Sequence, residues 1–253
     1  MMIVRTLLFS AVFATALLTG YRAGEIIDPL EKIFGSRLDA MIMPGVTIPD
    51  NDQYNLLIIG VDDINHADAQ LESIWLAAHA KNSSKITLIP VFPSQDDPDQ
   101  NLILAESFSF EGDMPGKAFW DEMRKTNFWW KGYLVSDRKT SIKLVDVLGG
   151  VGIHNQDMNG EQAVGSITSW KENARIAVNH QKMFLESICN RISTNQSPSL
   201  KIINEIIDQD FRSDTRTKIF IADWTVKNSK NESLSCNFPT LTQTSLHLEI
   251  VSP

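Results

Sequence analysis

The residues best placed for chemistry stand at the end of an apolar run. Residues 55–60, NLLIIG, lead through Val61 into two adjacent carboxylates, Asp62 and Asp63. Open α/β sheets hold their ligands at the carboxyl ends of strands, and a glycine there lets the chain turn sharply and a ligand approach the backbone. Aspartates there also cap loops and following helices, so Asp62 and Asp63 either face a ligand or close a turn. Glu72 follows across a polar loop and, taken alone, is a solvated acid. His66 and His79 read as loop and strand surface residues. Arg175 stands three residues after Glu172, so its guanidinium either pairs with that acid along a helix or meets an external anion.

Several short elements must position these groups. Three apolar runs, 55–60, 74–80 (IWLAAHA) and 85–92 (KITLIPVF), read as buried strands of one sheet, with a turn at 82–84 joining the second and third as a hairpin. A polar loop, 94–100, precedes an expected helix over 115–127. Residues 132–136, GYLVS, form another expected strand. Ile142, Val145 and Leu148 fall at helical spacing over 140–148, and GGVGI at 149–153 ends that helix and starts a further strand. Longer helices follow over roughly 160–192, with interruptions, 199–208 and 214–227. A helix over 28–34 and an edge strand over 240–251 complete the expected elements. Strands interleaved with helices that dominate late predict an α/β domain, a central mixed sheet flanked by helices. Trp120, Trp129, Trp130 and Trp170 are packing residues of a core or lid, or line an apolar tunnel.

Composition narrows the function classes. Of 253 residues, 43% are hydrophobic and 21% charged, a balance that supports a folded domain. The net charge of −8 argues against a nucleic-acid partner, which needs a basic face, and leaves any anionic ligand dependent on local cations or a metal. Arg5 precedes an apolar stretch from Thr6 to Tyr21, followed by Glu25, Asp28 and Glu31. That pattern predicts a signal anchor or a cleaved signal peptide over 1–23, with the bulk of the chain outside the cytoplasm. Residues 24–53 then form a juxtamembrane segment, and 54–253 the extracytoplasmic domain. Cys189 and Cys236 are two cysteines whose spacing leaves open whether they pair.

The order of motifs resembles the LytR-CpsA-Psr family of cell-envelope phosphotransferases. The resemblance is carried by LVDVLGGVGI at 144–153 and GEQAV at 160–164, supported by the strand–Gly60-Val61-Asp62 unit and, loosely, by ILAESFSFEG at 103–112. It runs in order over about 55–225. The resemblance implies an αβα domain that transfers a glycopolymer from a polyprenyl pyrophosphate carrier to peptidoglycan or another envelope acceptor. It also implies Mg2+ assistance, a lipid tunnel between sheet and helices, and arginines on the phosphates.

Carried over residue by residue, the resemblance implies that Asp62 and Glu72 hold the metal, with Asp62 and Arg175 catalytic. Arg175, His180 and Lys182 would contact the pyrophosphate. Other places depart from the pattern. Gln70 stands where the family has an arginine, Val91 follows Pro90 where another is expected, and Thr168 and Trp170 replace two more. Each lost charge-assisted contact is worth roughly 1.5–3 kcal/mol of phosphate binding. The expectation is therefore a divergent relative at the cell membrane that binds a polyprenyl-linked glycopolymer and transfers it. The alternative is a relative that binds or scaffolds without catalysis.

Overall fold

A computed structural model describes residues 53–80, 83, 85–95, 97–126, 128–194, 200–228 and 235–239. The chain divides into units 1–47 and 48–253, and the described residues all belong to the second. The expected N-terminal apolar segment, the helix at 28–34 and the strand at 240–251 lie outside them. Among the described residues no helix is long and apolar enough to cross a membrane.

Six strands form the main sheet in the order β10-β3-β2-β1-β6-β9. They are β1 (Gln53–Val61), β2 (Leu71–Ala80), β3 (Lys85–Phe92), β6 (Gly132–Asp137), β9 (Arg212–Ser213) and β10 (Ser235–Asn237). The sheet is mixed: β1–β2, β2–β3 and β6–β9 pair antiparallel, whereas β1–β6 and β3–β10 pair parallel. The expected β2–β3 hairpin is present. Two small hairpins, β4–β5 (Phe110–Glu111, Met114–Pro115) and β7–β8 (Val151–Ile153, Gln156–Met158), lie outside it.

Because β1 is covered on both faces, its middle, Leu56–Ile59, is an unbroken apolar run, the expected signature of a central strand. Leu57 and Ile59 point into one core with Leu104 of α1 (Pro98–Ser107) and Phe119 and Met123 of α2 (Lys117–Met123). Leu56 points the other way, towards Val178 of α5 (Ala174–Thr194) and Ile221 of α7 (Thr215–Asn228). Helices therefore flank both faces. Trp120 and Trp130 stack at 5.9 Å against the first core, and Trp170 is buried beside Phe92 at 5.0 Å. Trp120, Trp130 and Trp170 are thus packing residues, and none of the four expected tryptophans lines the cavity beside β1 described below.

Two boundaries differ from the sequence reading. The loop at 94–100 already contains the start of α1, where Pro98 takes the first helical position behind the cap of Asp97 on the Gln100 N–H. Pro115 belongs to β5 rather than to the helix that follows. The expected helix over 160–192 is two: α4 (Gly160–Gly165), closed by a turn at 166–173, and α5.

The two sharpest motif pieces meet each other. Asp146, in α3 (Arg138–Val147), accepts a hydrogen bond from the Gly160 N–H at 2.7 Å. Asn159 and Gln162 form a reciprocal capping box on α4. Gly160 lies so close to α3 that a Cβ would overlap the Ile142 carbonyl oxygen and come within 2.8 Å of its Cα. LVDVLGGVGI and GEQAV thus weld α3, α4 and β7 around a second core of Val145, Leu148, Val151, Ala163 and Val164. Gly160→Ala should therefore cost about 1–3 kcal/mol, because backbone rather than a flexible side chain must move. Urea unfolding of the variant against the parent checks this.

Candidate functional site

A cavity of about 340 Å³ opens between the carboxyl end of β1, its neighbours β2 and β6, and helices α3, α4 and α5. Its apolar wall is built from Ile58, Trp75, Val164, Ile167, Phe184 and Leu185. Its polar mouth carries Asp62, Glu72, Ser73, Arg138, Ser141 and Ser169.

The β1–β2 ladder explains why two acids sit together there. Gly60 pairs with Ser73 and Val61 with Leu71, so Glu72 is left over as a bulge. Bulges re-aim side chains, and this one turns Glu72 to the cavity beside Asp62. Gly60 permits the close pairing, since a Cβ there would overlap the Ser73 Oγ. Burial pushes the Glu72 carboxyl above the usual glutamate range, with the Asp62 charge adding to the shift and Lys171 opposing it.

Asp62 has a structural task as well. Its Oδ1 accepts from the Asp63 N–H at 2.8 Å and the Gln70 N–H at 2.7 Å, and its own N–H donates to the Gln70 carbonyl at 3.1 Å. One carboxylate oxygen thus closes the 62–70 loop, and Oδ2 makes no hydrogen bond. Asp63 only caps: it accepts from the Asn65 N–H, which is the main cause of its lowered pKa, and does not line the cavity. Magnesium keeps most of its waters and takes one or two carboxylates. Asp62 Oδ2 and Glu72 provide that donor set. Among the described residues no three His, Cys, Asp or Glu side chains cluster to hold a metal unaided. A cation here would share its ligand shell with water and a bound phosphate.

The three remaining expected residues do not reach the cavity. Arg175 is exposed on the first turn of α5 and makes no ion pair with Glu172. His180 stands behind the wall, its Nδ1 3.0 Å from Thr168 Oγ1, and Thr168 is the residue that faces in. Lys182 turns towards β10, with Nζ 3.6 Å from Glu186 and 5.9 Å from the Phe238 ring centre. The residue between them faces inward instead: Gln181 accepts from Trp75 Nε1 at 3.1 Å and donates to the Glu72 carbonyl at 3.1 Å, holding the bulge against α5.

Sequence reasoning also missed Arg138, the one arginine lining the cavity among the described residues. It directly follows β6, whose last residue, Asp137, is buried and accepts from the Thr140 and Ile64 N–H groups. The parallel pairing of β6 with β1 brings Asp137 beside Val61. A second strand ending in a carboxylate, SDR at 136–138, was the available signal.

No family model and no curated protein matches the sequence. Solved structures do. TagV from B. subtilis superposes with a TM-score of 0.54 at 14% identity, over 76% of this chain and 85% of that one. TagT bound to LI-WTA gives 0.50 at 13% identity, over 78% and 81%. A transcriptional regulator from Enterococcus faecalis gives 0.52 at 13%, over 76% of each chain.

The chain has the fold of TagV and TagT.

Both are LytR-CpsA-Psr proteins, so the resemblance carried by LVDVLGGVGI and GEQAV reappears in the architecture that TagV, TagT and this chain share. Glu72 offers a direct test of the cavity mouth. Because its folded pKa is raised, ionisation costs stability as pH climbs from the unfolded glutamate value through the folded one. Glu72→Gln should therefore raise the thermal midpoint at pH 7, and the gain should vanish below about pH 4, as followed by melting across a pH series.

Proposed function

We propose that this protein is a glycopolymer-transferase-like protein of the cell envelope, binding a polyprenyl-phosphate-linked glycopolymer in the cavity beside β1. The observation that carries this reading is one cavity with a greasy wall and a charged, hydroxyl-rich mouth. A chain with a phosphate head needs both surfaces within one site. At about 340 Å³ the cavity is small for a ligand pocket, so it would take the isoprene units nearest the phosphate and leave the rest of the tail outside. TagT, of the same fold, is bound to LI-WTA.

The Cys189–Cys236 disulfide suits an oxidising compartment, in line with an exported domain anchored or released through its N-terminal segment. Peptidoglycan or another envelope polymer would be the acceptor. Mg2+ held by Asp62 and Glu72 would neutralise phosphate charge as the transfer proceeds. The chain's own contribution is to orient the lipid along Trp75 and Leu185, to keep the phosphate end at the mouth, and to exclude water from the inner wall. A second reading, binding without transfer, is favoured by one observation: Arg175, His180 and Lys182 all stand off the cavity.

Protein purified from membranes should carry a polyprenyl phosphate visible by native mass spectrometry, and Leu185→Trp, which fills the cavity, should lose it while keeping its melting temperature within a few degrees. Protein free of lipid at every purification step would sink the reading. Glycopolymer transfer to an acceptor with added Mg2+, abolished by Glu72→Gln with lipid still bound, would mark the enzyme. Lipid binding with no transfer would mark the second reading.

A further inference from the structure

We propose that Arg138 is the headgroup-binding residue of this cavity and that, with no divalent cation bound, the site selects a lipid bearing a single phosphate over a pyrophosphate. The inference rests on the lipid-binding reading above and names the class of head it accepts.

Arg138 and Ser141 lie one turn apart on the same face of α3, and both line the cavity. The Arg138 guanidinium lies close to Gly165, where a Cβ would come 3.7 Å from Nη2, so it reaches from α3 towards the end of α4 across the mouth. Among the described residues it has no hydrogen-bond or ion-pair partner. The other cations nearby are engaged or face elsewhere. Lys139 and Lys143 line a separate polar cavity on the opposite side of α3, near Asp63 at 4.0 Å and Asp210 at 2.5 Å. Lys171 donates to Gln70 Oε1 at 2.5 Å and sits 6.0 Å from the Trp170 ring centre. Gln70, Val91, Thr168 and Trp170 place no cation at the mouth.

The mouth thus offers one free planar fork against two carboxylates, Asp62 and Glu72. A guanidinium meets two oxygens of one phosphate at once. With no cation between them, a second phosphate would find no second fork and would bring its charge towards the carboxylates of Asp62 and Glu72 that line the same mouth. Ser141 and Ser169 supply hydroxyl donors to the oxygens of the first phosphate.

The test uses the full-length protein in detergent with EDTA present, titrated with geranylgeranyl monophosphate, geranylgeranyl pyrophosphate and geranylgeraniol by calorimetry. The parent should bind the monophosphate at least as tightly as the pyrophosphate, and both more tightly than the alcohol. Arg138→Gln should weaken the monophosphate about 10- to 100-fold, the loss expected for a charge-assisted contact, and leave the alcohol unchanged. Arg138→Lys should fall between. An equal loss for alcohol and phosphate would reduce Arg138 to a packing residue and overturn the proposal. So would an unchanged monophosphate affinity in Arg138→Gln, or a pyrophosphate bound tenfold more tightly by the parent; either would leave the lipid cavity standing. Binding of none of the three probes would remove the lipid reading itself, and Arg138 with it.

Discussion

One extra residue in β2 governs the site. If Glu72 were paired in regular register, it would follow the alternation of the strand and its carboxylate would leave the cavity. The bulge opposite Gly60 and Val61 breaks that alternation. Three features hold it: Gly60 lets Ser73 approach, the Gln181 amide fastens the Glu72 carbonyl, and the Asp62 carboxylate and backbone fix Gln70 just ahead. The strain of bringing two acids together is held by hydrogen bonds to backbone, which cost little to keep in place once the sheet has formed. A cavity mouth with this much fixed negative charge is ready for a cation or for a positively charged side chain, and α3 supplies the latter.

Much of the architecture was legible because it follows from hydrophobic pattern. A two-sided central strand must be apolar through its middle, and 56–59 is; a hairpin needs small polar residues between its strands, and the sequence between β2 and β3 has them. The site was only half legible. Asp62 could be read from its place after a strand and Gly60, a local signal. Glu72 required knowledge of a bulge, which depends on pairing between two strands and leaves no periodic trace. Arg138 was hidden for a different reason: its relation to Asp62 arises from the parallel pairing of β1 with β6, strands separated by the β2–β3 and β4–β5 hairpins and two helices. Arg175, His180 and Lys182 illustrate the reverse error. A helix spreads residues 175, 180 and 182 around its axis by about 100° per residue, so sequence proximity cannot assign all three to one face. Gln181 takes the inward direction.

The motif pieces that carried the family resemblance act mainly on structure. LVDVLGGVGI and GEQAV bind α3 to α4 through Asp146 and Gly160 and contribute only Val164 to the cavity. The presence of these motifs without the arginines that the resemblance implies is therefore coherent: the motifs build the frame that holds α3, and α3 itself delivers Arg138. A frame of this kind tolerates exchange of the groups it presents, because packing and presentation rest on different residues.

The C-terminal strand has a consequence for the chain's solubility. β10 lies parallel to β3 and is stapled to α5 through Cys189 and Cys236. It is only three residues long and covers the edge of β3 along Lys85–Thr87. Until the last part of the chain arrives, β3 presents an open ladder to any passing extended segment. A chain emerging from its N-terminus would hold that ladder open through the delivery of everything from α1 to α7. Oxidation then latches the cover in place, so a reducing environment would leave self-association through β3 guarded by three residues of hydrogen bonding alone.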